Sequence, residues 1–201
     1  MTLASRQPMR TNPFSTRFVR PGAVRYLPGS GPTPEALVAR LSASGWRGQI
    51  VGPHGAGKST LLASLAAPLS AAGRRTHWLA LQGGRRTLPT GWARGAAESG
   101  ANLLIVDGYE QLGIASRWAL HLRCRWRGWG LLVTAHAPAG LPTLLEMKPR
   151  VATALAVVEQ LLAGESAGIE PRVVAECFAA AGGNVRETLF ALYDHWESLH
   201  R

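Results

Sequence analysis

Residues 52–60 read GPHGAGKST, between the apolar stretch WRGQIV and the helix-like run LLASLAAPLSAAG. Nothing else in the 201 residues restricts the fold so strongly. The spacing G-x-x-x-x-G-K-[ST] sets Gly52, Gly57, Lys58 and Ser59 where a phosphate-cradling loop needs them. In such a loop several consecutive backbone N–H groups point into one concavity, which takes backbone angles that glycine adopts at least cost. Gly52, Gly55 and Gly57 supply that freedom, and Pro53, His54 and Ala56 complete the loop. The helix that follows presents unpaired N–H donors at its positive end. Lys58 adds a full charge for the β- and γ-phosphates, the Ser59 hydroxyl is placed to bind Mg²⁺, and Thr60 neighbours the α-phosphate. A strand must feed the loop and a helix must leave it, so the chain has to build an α/β unit.

Apolar periodicity extends that unit in both directions. TPEALVARLSASG has Thr33 as N-cap, Pro34 at the first helical position and apolar residues at 37, 38 and 41, which predicts a short helix before the first strand. After the loop helix, Gly73 closes a turn and THWLALQ reads as a second strand. Residues 83–101 are Gly-rich with a helix expected around 90–99, and NLLIVDG reads as a buried parallel strand ending in Asp107. A helix is predicted from about Tyr109 to Arg127, GLLVTAH as a fourth strand, and LPTLLEMKP as a fifth. From Arg150 onward the pattern is helical: VATALAVVEQLLAG, EPRVVAECFAAAGG and NVRETLFALYDHWESLH. Strands alternating with helices imply a three-layer α/β fold with a parallel sheet. The expected division is an extended arm over 1–32, a core over 33–149 and a helical lid over 150–201.

Composition narrows the classes. A content of 46% hydrophobic residues suits a folded globule, and no run of about 18 apolar residues is present to span a membrane. The Arg-bearing start has no apolar signal-peptide core, and Cys124 and Cys177 are far apart, without metal-binding spacing. Both cysteines are expected as free thiols, and the location as cytoplasmic. The formal charge of +10 is scattered through GRRT, GGRRT and RCRWRGW, so it leaves a nucleic-acid partner open while no motif indicates one. Of the 22 basic residues only two are lysine, and one of them is Lys58.

The chemistry beyond phosphate binding rests on three further places. Asp107 ends an apolar strand, where a carboxylate beside the loop can orient Mg²⁺ through water or through the Ser59 hydroxyl; its plainer role is to cap the next helix. Attack of water on a γ-phosphate needs a positioned acceptor. Gly108 follows Asp107, so the nearest carboxylate is Glu110, set against a surface or capping role. In GGNVRETLFALYD, Gly182 and Gly183 permit a turn, Asn184 can cap a helix, and Arg186 in the first turn can meet an anion or pair with Glu187 or Asp194.

Together these segments resemble the AAA+ and signal-transducing (STAND-like) P-loop ATPases of the additional-strand class, over about residues 33–200. The resemblance implies that LLIVDG is a Walker B strand. It implies that Thr134, with His136 as second candidate, is a sensor of the γ-phosphate or the attacking water, and that Arg186 is a second sensor on a helical lid. It also implies a homo-oligomer in which an arginine finger comes from a neighbouring subunit, with Arg123, Arg125, Arg127 and Arg150 as candidate donors, and an adenine flanked by RFVRPGAVRY. The missing Asp-Glu pair departs from the pattern. The expected function is an ATP-binding, ATP-hydrolysing module that uses Mg²⁺ and couples nucleotide state to a protein partner. The alternatives are an ATP/ADP switch without turnover and a small-molecule kinase. The absence of an L-S-G-G-Q-like signature and of N-K-x-D argues against a transporter ATPase and a GTPase.

Overall fold

The computed structural model describes residues 11–20, 22–29, 31–81, 83–162 and 169–200. The first ten residues of the predicted arm, Ser30, the end of the second-strand reading at Gln82 and residues 163–168 after the first C-terminal helix lie outside that set. The chain divides into two compact units, Arg25–Lys148 and a second that joins Met1–Val24 to Pro149–Arg201. The segment read as one arm is thus shared between them.

The second unit holds helices α1 (Thr16–Val19), α7 (Val151–Leu162), α8 (Pro171–Ala180) and α9 (Val185–Leu199), and the first holds the other helices and the strands. In the helical unit Phe14 is fully buried among Ala154, Val158, Val174, Leu189, Leu192 and Trp196. Asn12 fixes its approach, donating to the Tyr193 carbonyl at 3.1 Å and to Glu197 Oε1 at 2.9 Å while accepting from the Phe14 N–H. A Pro- and Arg-rich segment thereby contributes its aromatic to a helical core.

In the first unit β1 (Arg47–Val51), β2 (Thr76–Ala80), β3 (Leu103–Asp107), β4 (Gly130–Ala135) and β5 (Thr143–Glu146) form one sheet in the order β2-β3-β4-β1-β5. Every pairing is parallel. β3 and β4 are buried on both faces, which is why they read as unbroken apolar runs. Alternate residues serve opposite cores: Leu104, Val106, Leu131 and Val133 pack with Leu120 and Cys124, whereas Leu103, Ile105 and Leu132 pack with Leu37, Leu61 and Leu65. Burial also pushes the Cys124 thiol up to about 11, so it is an inert core residue.

Helix α2 (Pro34–Ala43) starts as its sequence predicts, with Thr33 accepting from the Ala36 N–H and Leu37, Val38 and Leu41 buried. Two predicted helices are interrupted. The run after the loop breaks at Leu65 into α3 (Lys58–Ser64) and α4 (Ala66–Ala71), where Pro68 has no N–H to give the Ser64 carbonyl. α5 (Trp92–Glu98) forms within the span expected. The helix expected over 109–127 becomes a 3₁₀ turn over Tyr109–Gln111, an extended step at Leu112 and Gly113, and α6 (Ile114–Arg127). Tertiary bonds decide this: the Gly113 N–H donates to the Arg86 carbonyl at 2.9 Å, and Gln111 Oε1 accepts from the Gly84 N–H at 3.0 Å.

His121 ties α6 to the sheet, with Nδ1 2.6 Å from Arg47 Nη2 and Nε2 3.0 Å from the Tyr109 hydroxyl. A guanidinium can only donate, so Nδ1 accepts and the ring is neutral with its proton on Nε2. Burial and then the neighbouring Arg47 charge hold its pKa below the ordinary value. Acid should therefore destabilise the unit. Above about pH 6.5 the ring is neutral in folded and unfolded chains alike and its contribution is complete. Below that the unfolded chain takes up the proton first, and stability falls until the lowered folded value is passed. The melting temperature should drop between about pH 7.5 and about 5.5, less steeply in His121→Gln, and a rise over that interval would contradict the assignment.

Candidate nucleotide site

The loop leaves the carboxyl end of β1, and close packing sets its first residue. A Cβ on Gly52 would lie 2.9 Å from both the Met147 carbonyl oxygen and its Cβ, so only glycine fits beside the end of β5. Gly55 and Gly57 take positive φ, at 68° and 86°, the conformation for which glycine was expected there. Lys58 is the first residue of α3 and is buried, its ammonium donating to the Gly52 carbonyl at 2.5 Å and the Pro53 carbonyl at 2.7 Å. The cation is held inside the loop's own curve. Ala56 is buried, while Ser59 and Thr60 are half-buried and Pro53 and His54 exposed.

Because β4 lies between β1 and β3, the carboxyl ends of these three strands meet beside the loop. The Ser59 hydroxyl donates to Asp107 Oδ2 at 2.6 Å, and the Thr134 hydroxyl donates to Asp107 Oδ1 at 2.5 Å. Thr134 in turn accepts from the Gly108 N–H at 2.9 Å. Both oxygens of the Asp107 carboxylate are thus held. Thr134 is fully buried and spends its proton on Asp107, so in this structure it orients that carboxylate.

Gly108 explains why no acidic residue follows Asp107. Its φ is 84°, and a Cβ there would come within 2.7 Å of the Leu81 carbonyl oxygen and of Gln111 Nε2. The carboxylate that does approach the site is Glu110, whose Oε1 is 3.1 Å from His136 Nε2. Its Oε2 is buried and has no hydrogen-bond partner among the described residues. The His136 ring stands edge-on to His54 of the loop, with centroids 3.7 Å apart. Burial lowers the His136 pKa, Glu110 opposes that shift, and Lys58 and His54 add to it. A neutral His136 donating to Glu110 satisfies that balance. The His54–His136–Glu110 chain escaped sequence reading because its members are separated by a strand order that no local pattern reports.

The oxygen donors suit a hard cation. Ser59 and Asp107 converge within hydrogen-bond distance, and Mg²⁺ is commonly held by one or two protein oxygens with substrate phosphates completing its shell. Consistently, no group of three or more His, Cys, Asp or Glu that could hold a metal by itself occurs among the described residues. Arg186 is exposed in the first turn of α9, in the helical unit, and Asn184 caps that helix by accepting from the Arg186 and Glu187 N–H groups at 3.0 and 3.2 Å. Gly182 and Gly183 have positive φ, as the turn reading requires. Arg123, Arg125 and Arg127 end α6 just before β4 begins, at the amino end of that strand, whereas the loop leaves the carboxyl end of β1.

Three solved structures share this architecture. One is a crystal structure of a DNA replication initiation factor, with a TM-score of 0.53 and 14% identity, covering 79% of this chain and 58% of that one. The replication initiator DnaA bound to AMPPCP and single-stranded DNA gives 0.52 at 14% identity, covering 81% and 59%. AMPPCP-bound DnaA from Aquifex aeolicus gives 0.51 at 13% identity, covering 79% and 58%. What is shared is the fold, a three-layer α/β arrangement around a five-stranded parallel sheet. This chain spans under three-fifths of the length of those structures. No protein-family model matches the sequence, and no curated protein matches it. No helix among the described residues is long and apolar enough to cross a membrane.

Proposed function

We propose that this chain binds Mg²⁺-ATP at the 52–60 loop and hydrolyses it, coupling the nucleotide state to a protein partner in the cytoplasm. The observation that carries the reading is the meeting of Ser59, Asp107 and Thr134 at the carboxyl ends of adjacent strands beside Lys58. Two similar structures hold AMPPCP, an ATP analogue, which supports a nucleotide on this fold. Ser59 and Asp107 would hold Mg²⁺, which would neutralise charge on the phosphates. Glu110 is the acceptor for the proton of the attacking water, with a free buried oxygen and with His136 fixing the other. The role of Arg186 as a γ-phosphate sensor rests on its exposed place in a capped first turn. The signal-transducing class, a homo-oligomer and a finger from a neighbouring copy belong to the same proposal.

A switch that binds nucleotide without turnover is the second reading, favoured by Gly108 and by the engagement of Glu110 with His136. Steady-state hydrolysis of Mg²⁺-ATP over a range of protein concentrations separates the two. Wild-type turnover should rise more than proportionally with concentration, and Glu110→Gln should lower kcat by about a hundredfold or more while retaining ATP binding. Tight binding without turnover at every concentration would select the switch. Turnover unchanged in Glu110→Gln would remove Glu110 from the chemistry.

A further inference from the structure

The amino-terminal end of the sheet, away from the phosphate loop, carries a surface apart from Lys58, Ser59 and Asp107. On α6, Ile114, Trp118, Leu122 and Trp126 recur every fourth residue and are 75, 73, 68 and 81% exposed. They form an apolar ridge about 18 Å long at 1.5 Å per residue. Single exposed apolar side chains need no explanation, but a continuous ridge of this size marks a binding surface. Beside it lies a slot of about 780 Å³ lined by Trp46, Arg47, Arg74, Trp118, Leu122 and Arg125, among others. Among the described residues no Asp or Glu lines the slot, and none occurs in α6, which carries four arginines.

The slot is built at a cost. Trp46 has φ of 61°, a left-handed conformation that a bulky residue rarely adopts, and Arg74 stacks on its ring with Cζ 3.7 Å from the centroid. The Arg74 Nε is buried and has no hydrogen-bond partner among the described residues. The slot's polar lining is thus cationic, with Arg47, Arg74 and Arg125 beside the Trp46 and Trp118 rings.

We propose that ridge and slot together dock an acidic segment of a partner protein, which seats an apolar side chain between Trp46 and Trp118 and sets carboxylates against Arg47, Arg74 and Arg125. A second copy of this chain meeting it face to face about a two-fold axis would bring arginines to arginines. A bilayer is flat and would leave the slot unfilled, and single-stranded nucleic acid has no use for the aliphatic Ile114 and Leu122, which offer no ring on which a base stacks. An apolar anchor in a pocket ringed by charge is the usual centre of a peptide interface. The surface lies in the same unit as the phosphate loop, at the far ends of the same strands, so it is a place where a partner could meet the unit without covering the loop.

The test is a random 16-residue peptide library displayed on phage and panned against the full chain, followed by affinity measurement on the selected peptides. Enrichment of Asp and Glu around an apolar anchor, with affinity lowered about thirtyfold in Trp118→Ala/Leu122→Ala, and lowered again in Arg125→Glu, supports the proposal. Unchanged melting temperature in each variant keeps the loss local, since all three side chains are exposed. Selection of basic or neutral peptides, or of none, overturns it. So does abolition by the same variants of binding to phosphatidylglycerol vesicles or oligo-dT, or of self-association.

Discussion

Lys58→Ala is expected to weaken Mg²⁺-ATP binding by about a hundredfold, close to 3 kcal/mol, because removing a charged partner from a desolvated phosphate costs on that order. The structure adds a second expectation. The ammonium now donates to the Gly52 and Pro53 carbonyls, so its loss also releases the loop's own curve. Pro53 is exposed, so water can replace its bond at small net cost, whereas the Gly52 carbonyl is buried and loses its partner at a cost of about 1–3 kcal/mol. The melting temperature without nucleotide should therefore fall by a few degrees, while the stabilisation that saturating ATP gives the wild type should vanish. Isothermal titration and thermal melting with and without Mg²⁺-ATP read the two effects separately. An affinity within threefold of wild type (about 0.7 kcal/mol) would show that the lysine serves loop structure and that phosphate binding rests elsewhere.

Much of this was legible in the sequence, for reasons specific to the residues concerned. LLIVD and GLLVTA could be read as central strands because burial on both faces erases alternation, and Thr33 and Asn184 could be read as caps because each bond spans only two or three residues. The break at Gly113 could not be read, since it is imposed by Arg86 and Gly84 from a distant loop. Nor could the burial of Phe14, whose neighbours come from helices more than 130 residues later in the chain. Thr134 was legible as a strand-end hydroxyl, yet its partner Asp107 depends on β4 lying beside β3. The ridge on α6 hid for a different reason. Its apolar residues have helical spacing, and spacing alone does not say which face of a helix meets the sheet.

Gly108 is where the sequence's departure from the ATPase pattern becomes a physical prediction. If the absent acidic residue were merely a lost catalyst, Gly108→Glu would restore it and raise turnover. The geometry predicts a destabilised fold instead. A non-glycine residue at φ of 84° costs about 1–2 kcal/mol. The new Cβ would also meet the Leu81 carbonyl oxygen at 2.7 Å, and that atom is backbone, bonded into the strip that joins β2 to β3 through the Leu81 N–H and Asp107 carbonyl. Gln111 can swing aside from its own 2.7 Å contact, but doing so breaks its 2.6 Å bond to that same carbonyl. Overpacking of this kind adds about 1–3 kcal/mol. The total, about 3 kcal/mol, should lower the melting temperature by about 10 °C or more in a unit of this size. Gly108→Ala should show most of the loss, because the penalty belongs to the Cβ and the backbone angle and not to the carboxylate. It would also displace the N–H that holds Thr134, and through it Asp107, so Mg²⁺-dependent ATP affinity should fall in both variants. A Gly108→Glu protein that melts with the wild type and hydrolyses ATP faster would return the catalytic role to position 108 and leave Glu110 as the partner of His136 alone.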